Sequence, residues 1–287
     1  MSPGFAWGLV AGLAAAALFG VAAVAQAHAV RRQPHRPHGL VDFVRVSVRD
    51  PWTLGVVVAY LLGFVLHVVA IWALPLYLAQ ATVAMSLPIT AVTSIVLHEH
   101  LRPAHWAAVG LVSVGLVLLS VSSGEPGELF TSVWFALALW VGIALLLLAA
   151  RVGVHWPGPV IAALAGLGYT GSAVAVRGAE SATNTVGIAA ALTVGIYGLI
   201  GFWLYSVALD RTPVSAASAP LIVTQTFVPS LIGVVLLGDG VRPGWWPGVL
   251  AGLVLSTLGA VLLSGDGIES IDSPVTTARD PEAPQAS

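Results

Sequence analysis

Residues 63–79, GFVLHVVAIWALPLYLA, lie without a gap on residues 201–217, GFWLYSVALDRTPVSAA. Gly63/Gly201, Phe64/Phe202, Leu66/Leu204, Val69/Val207, Ala70/Ala208, Pro75/Pro213 and Ala79/Ala217 are identical pairs. Farther along, HEHLRPAHW (98–106) meets GDGVRPGWW (238–246). That match pairs Glu99 with Asp239, Arg102 with Arg242, Pro103 with Pro243 and Trp106 with Trp246. One apolar unit is therefore written twice in this chain.

The composition sets the solvent in which that unit folds. The chain is 57% hydrophobic and 8% charged, whereas a typical soluble domain is about a quarter charged. Most of it falls in apolar runs of about 18 residues or more, each long enough to cross the hydrocarbon of a bilayer. An all-α, polytopic membrane helix bundle is the fold class that follows, because in lipid a helix satisfies every backbone hydrogen bond internally. There are no cysteines, so neither a disulfide framework nor a thiolate metal site is available. All eleven basic residues are arginine; they form no patch of the kind nucleic acid requires.

Hydropathy predicts nine spans, at about 5–28, 53–74, 76–97, 104–123, 131–150, 157–178, 187–209, 212–237 and 244–264. No positively charged region precedes the first, as it would in a cleavable signal peptide. The loops after spans 1, 3, 5 and 7, with the C-terminal tail, hold Arg31, Arg32, Arg36, Arg45, Arg49, Arg102, Arg151, Arg211 and Arg279, against Arg177 and Arg242 on the other side. Positive charge stays inside. The predicted placement is a cell (plasma or inner) membrane with the N-terminus outside and the C-terminus in the cytoplasm. Residues 29–52 read as a basic cytoplasmic loop, and the acidic, Pro/Ser/Thr-rich tail 266–287 as disordered.

Spans 1–4 (residues 1–123) make a first copy, span 5 (124–150) a link, and spans 6–9 (151–265) a second copy. Four crossings return the chain to its starting side, so the one extra crossing inverts the second copy relative to the first. Inverted repeats are a common architecture of secondary transporters, with the substrate bound where the copies meet.

The pattern of an Ala-x(3–4)-Pro turn, a span with a central proline, an acidic residue before a basic loop and a Gly-rich closing span resembles the drug/metabolite transporter superfamily, its EamA-like branch in particular. The resemblance covers residues 5–264. The nine-span layout with a basic loop after span 1 is also similar to the NIPA magnesium transporters of that superfamily. The family's Gly-Glu-Arg/Lys turn reads His98-Glu99-His100 and Gly238-Asp239-Gly240 here, and the resemblance implies no particular substrate.

Mid-span polar and helix-breaking residues are the candidates for a substrate pathway. Pro88 in span 3 and Pro220 and Pro229 in span 8 remove backbone donors and free the carbonyls one turn earlier, which lipid-exposed helices do not tolerate. Thr82, Ser86, Thr90 and Ser94 recur every fourth residue of span 3, while Ser218, Gln225, Thr226 and Ser230 run along span 8. Such hydroxyls either line a pathway or bond their own helix and glue its neighbours. Gln225 is a mid-span amide that needs partners. His67, opposite Tyr205 in the aligned copy, is an ionisable group inside a span: either a proton-coupling residue or a neutral one bonded to a carbonyl. Gln26, Gln80, Tyr169 and Tyr197 complete the pocket candidates. Arg177, near the outer end of span 6, either contacts an anion or snorkels towards Glu180. His35, His38, His98, His100 and His105 form loose clusters, and neither a metal site nor a cofactor is expected. The small residues Gly4, Gly8, Gly12, Ala16 and Gly20, like Gly244, Gly248 and Gly252, form ridges for close helix packing.

The expectation is a secondary transporter that exports a small polar metabolite, working by alternating access. The readings that compete with it are a NIPA-like magnesium transporter, a flippase for a lipid-linked sugar, and a non-transporting subunit of an envelope-assembly complex. Magnesium demands oxygen ligands, usually carboxylates, and no span has a central Asp or Glu. No Ser/His/Asp constellation or phosphate loop suggests an enzyme. The expected partners are the lipid bilayer, a small-molecule substrate, and a second copy or another membrane protein; no nucleic acid partner is expected.

Overall fold

A computed structural model describes residues 3–32, 39–73, 82–83, 85–95, 102–122, 132–178, 185–236 and 240–269. Its helices are α1 (Pro3–Arg32), α2 (Leu40–Ser47), α3 (Pro51–Ala73), α4 (Ser86–Ser94), α5 (Pro103–Ser122), α6 (Val133–Val152), α7 (Gly158–Gly178), α8 (Thr185–Arg211), α9 (Val214–Leu236) and α10 (Trp246–Glu269). Six of them are long and apolar enough to cross a membrane: α1, α3, α6, α7, α8 and α10. Shorter apolar stretches occupy Pro103–Leu119 and Val214–Pro229.

The helix starts obey local chemistry. Proline opens α1, α3 and α5, where its missing N–H costs nothing and its φ is already helical. Ser132 caps α6 by accepting from the Phe135 N–H at 3.1 Å. Asp50 caps α3 by accepting from the Thr53 N–H at 3.0 Å and the Thr53 hydroxyl at 2.6 Å. Burial pushes the Asp50 carboxyl up, but these bonds, that from the Trp52 N–H and the Arg32 charge outweigh it and hold the group below its ordinary value. Arg31 and Arg32 end α1, where cations suit the negative end of the helix dipole.

Three hydrogen bonds sort the helix ends into two faces. The Arg31 guanidinium donates to the Thr212 carbonyl, joining the end of α1 to the α8–α9 turn, and Arg211 donates to the Trp156 carbonyl at the α6–α7 turn. At the other end of α9, the Arg242 N–H donates to the Ser122 carbonyl at 3.0 Å and joins the end of α5 to the approach to α10. Since α9 separates Thr212 from Arg242 by its whole length, the first two bonds lie at one end of the bundle and the third at the other.

The packing runs in matched sets. α1 lies on α3 and α4, α7 lies on α8 and α9, and α5 lies on α10, with α6 against α7 and α8. Glycines permit the closest passes. A Cβ on Gly115 would come within 2.7 Å of the Gly252 carbonyl oxygen, and one on Gly252 within 2.7 Å of that of Gly115. At the α7–α8 crossing a Cβ on Gly168 would stand 2.8 Å from the Gly201 Cα. Gly20 would meet the Ser86 carbonyl at 2.9 Å, so its ridge on α1 is a seat for α4. Large apolar side chains such as Leu61, Leu62 and Val65 on α3 and Leu250, Val254 and Val261 on α10 face outward, as lipid-facing residues do. Trp7, Trp52, Trp134 and Trp246 are exposed near helix starts, where an interfacial belt places indoles.

Three details depart from the expected layout. Residues 40–47, inside the arginine-rich segment taken for a loop, form α2. Its Phe43 and Ser47 are buried, one turn apart, while Val41 and Arg45 face out. The helix break expected at Pro88 falls at Met85 instead, so Pro88 sits in the first turn of α4, whereas α9 runs unbroken through Pro220 and Pro229. Proline disrupts a helix only where its ring and missing donor find no compensation. On α9 the carbonyls left without their usual donors are those of Ala216 and Gln225, and the Thr224 hydroxyl adds a bond within the helix to the Pro220 carbonyl at 2.7 Å. Finally, α10 continues to Glu269, so residues 266–269 of the expected disordered tail are helical, there being no proline before Pro274.

Candidate functional site

A polar knot sits where α1, α3 and α8 meet. Gln26 on α1 is only 1% exposed. Its amide nitrogen donates to the Ser206 hydroxyl at 2.7 Å and the Phe202 carbonyl at 3.2 Å, both on α8. Its amide oxygen accepts from the Tyr60 hydroxyl of α3 at 3.0 Å. The Ser206 hydroxyl in turn donates to the Phe202 carbonyl at 2.9 Å. A buried amide must be bonded this fully, since each unpaired polar group in an apolar interior costs about 1–3 kcal/mol.

Two more tyrosines extend the knot. The Tyr205 hydroxyl shares a 2.6 Å bond with that of Ser218 on α9. The Tyr169 ring of α7 packs against Gly201 of α8, one turn from Tyr205, where an added Cβ would lie 3.3 Å from that ring. Aromatic rings flank the polar atoms: Tyr60 stacks on Phe19 at 6.1 Å and meets Phe202 edge-on at 6.0 Å, and Phe202 touches Phe43 of α2 at 5.7 Å. Five helices thus deliver one amide and several hydroxyls into an aromatic surround. Such a lining can hydrogen-bond and stack on an uncharged polar molecule, and it carries no formal charge of its own.

The expected residues divide into three groups. Tyr169 and Tyr205 belong to the knot. Ser86 and Thr90 do not: both are buried against α1, and the Thr90 hydroxyl donates to the Ser86 carbonyl at 2.9 Å and the Gly20 carbonyl at 3.4 Å. Ser94 and Thr93 likewise bond carbonyls of their own helix. Gln225 is half-buried and Thr226 buried on α9, beside the α7 contact at Gly166 and outside the Gln26 bonds. His67 on α3 keeps a buried Nδ1 with no hydrogen-bond partner. Gln80 and the Arg177 side chain lie outside the described residues, although Arg177 itself falls in the last turn of α7. Tyr197, on α8, donates to the Leu139 carbonyl of α6 at 2.8 Å and serves that packing. Among the described residues no cluster of three or more His, Cys, Asp or Glu is placed to hold a metal ion.

Ser206 and Tyr60 were not singled out by type, because a lone hydroxyl in a span is ordinary. The available signal was Gln26, an amide near the end of an otherwise apolar helix, which had to find several partners wherever the fold put it. No family model matches the chain, and neither a curated protein nor a solved structure does.

Proposed function

We propose that this chain is a secondary transporter that moves a small, uncharged or zwitterionic polar metabolite, in the manner of the drug/metabolite transporters, by alternating access of two inverted repeats. The observation that carries the reading is the Gln26–Tyr60–Ser206 knot with its Tyr205–Ser218 and Tyr169 extension, which joins side chains of different helices where most other buried hydroxyls bond carbonyls of their own helix. Here one network draws on helices from both aligned halves of the sequence, where transporters of this architecture hold substrate.

The packing supports the repeat. Exchanging α1 with α7, α3 with α8, α4 with α9 and α5 with α10 carries the α1–α3 and α1–α4 contacts onto α7–α8 and α7–α9. It also returns the α5–α10 and α4–α9 contacts to themselves. The reciprocal approach of Gly115 and Gly252 is what a local two-fold axis requires. The two-face sorting of helix ends fits nine crossings, with the arginine-rich face in the cytoplasm by the positive-inside rule.

The test is ligand binding followed by flux. The protein, purified in mild detergent, is unfolded thermally against amino acids, nucleosides, neutral sugars, Mg²⁺ and polyprenyl phosphate. A ligand that binds only the folded state, at about 100 times its Kd, adds about 2.7 kcal/mol. The expected outcome is a saturable shift with one class of neutral or zwitterionic metabolite that Gln26→Leu abolishes, and flux of that class in proteoliposomes. A shift with Mg²⁺ alone, or one that survives Gln26→Leu, overturns the reading.

A further inference from the structure

The short helix α2 has no counterpart in the second half of the chain. Residues 33–50 join α1 to α3, whereas residues 179–184 are all that join α7 to α8. α2 packs on α3 and α8, the two helices that carry the aligned positions 63–73 and 201–211. Those helices make little direct backbone contact, and α2 fills the seam between them.

Its point of entry is Phe43, which is 3% exposed and forms a small core with Val56 of α3 and Phe202 of α8, against which Tyr60 and Trp203 pack. Two members of that core also belong to the polar knot. The Phe202 carbonyl accepts from Gln26, and the Tyr60 hydroxyl donates to it. Phe43 therefore stands directly behind the ring of Phe202, between the knot and the arginine-rich face.

The contact is incompletely satisfied. The Ser47 hydroxyl, one turn from Phe43 on the same buried face, and the indole N–H of Trp203 are both buried without a hydrogen-bond partner. Buried polar atoms are almost always paired, so the two orphans beside this short helix offset part of what the burial of Phe43 contributes to holding it in place. A tight turn, with the Arg49 N–H on the Val46 carbonyl at 3.1 Å and the Asp50 N–H on that of Ser47 at 3.2 Å, ties α2 to the capped start of α3.

We infer that α2 is a gate: a wedge, present on one face only, whose Phe43 closes the seam between α3 and α8 over the Gln26 knot and leaves it when the site opens to the arginine-rich side. The inference deepens the transport reading, which supplies the reason for opening, but its test needs no substrate.

The chain is free of cysteine, so one introduced thiol reports one position. Ser206→Cys places it in the knot, and a membrane-impermeant maleimide is applied to vesicles of each orientation. With Phe43 intact, labelling from the arginine-rich face is slow. If the open state is a minor conformer of about a tenth, Phe43→Ala raises that rate by up to about tenfold, with no change from the opposite face. Val48→Cys, on the exposed side of α2, labels fast in both backgrounds. Equal rates at position 206 with and without Phe43, or a rise from both faces alike, overturn the gate. Should Phe43→Ala lose its monodisperse folded peak, Phe43→Leu, which keeps apolar volume but not the ring contact, is read in the same way. A rise in labelling in a protein that moves no metabolite would retain the gate and remove the transport reading. Unchanged labelling in a protein with normal flux does the reverse.

Discussion

Helices α3 and α8 carry the aligned positions 63–73 and 201–211, yet they occupy different environments. α8 is enclosed by α1, α6, α7 and α9, whereas α3 meets α1 and α2 and turns the rest of its surface outward. At the aligned positions Tyr205 is buried with its hydroxyl on Ser218, and His67 holds a buried nitrogen that bonds nothing. The difference comes from elements outside the repeat: α6 packs only on the second half, and α2 stops the seam on one face. The two aligned sequence segments thus sit in unlike surroundings, and the polar contacts concentrate on α8.

The strongest challenge to that picture strikes the symmetric part. Gly252→Leu forces a side chain onto the Gly115 carbonyl, 2.7 Å from its first atom. Overpacking of this kind costs about 1–3 kcal/mol or more, and against backbone the expected outcome is loss of folded protein, read as disappearance of the monodisperse peak on size exclusion. Normal yield would mean that α5 and α10 are not packed as described.

Next comes the knot that joins the halves. Gln26→Leu keeps the volume and strands the Tyr60 hydroxyl, for a loss of about 1–3 kcal/mol. The check is thermal unfolding in detergent, with flux of the ligand identified by binding expected to vanish. Unchanged stability would show that the network contributes nothing to holding α1, α3 and α8 together.

The paired substitutions Tyr205→Phe and His67→Phe sharpen the comparison directly. Tyr205→Phe leaves the Ser218 hydroxyl alone and costs about 1 kcal/mol. His67→Phe removes an orphan nitrogen and is expected to be neutral or stabilising by the same measurement. Equal losses at both positions would mean that the two copies are environmentally alike.

The smallest effect is expected at Asp50, outside the spans. Its carboxyl is held below the ordinary value of 3.8 by the capping bonds. A depressed pKa contributes stability above the unfolded value, and that contribution fades as pH falls through the lower folded one. Asp50→Ala should cost about 1 kcal/mol at neutral pH, with the gap from the parent closing below about pH 4. A gap that persists in acid would assign the effect to packing rather than to the carboxylate.

Much of this was legible in the chain before it folded. Apolar runs too long for any soluble core specify helices in lipid, because an unpaired backbone group there costs several kcal/mol. Proline and Asp50 mark starts, and glycine ridges mark close contacts, by rules acting within a few residues. Most of the expected spans therefore agree with the helices to within a few positions, whereas of the third, expected at 76–97, the described helix covers only Ser86–Ser94. What failed was non-local. A polar stripe such as Thr82–Ser86–Thr90–Ser94 has the same pattern whether it faces a pathway or another helix, and only the position of α1 turned it into packing. Gln26 could be recognised as an amide in need of partners, but those partners are Tyr60 and Ser206, far away in sequence. The short α2 lay within a segment whose arginines resemble a loop, and its role comes from the Phe202 ring beneath Phe43. Sequence by itself determined the apolar solvent and the helical runs, and it holds the likeness of 63–79 to 201–217, since these depend on local composition and periodicity. Tertiary structure alone decided which hydroxyls meet, which face is wedged and which copy is enclosed, because those outcomes depend on how helices distant in the chain pack together.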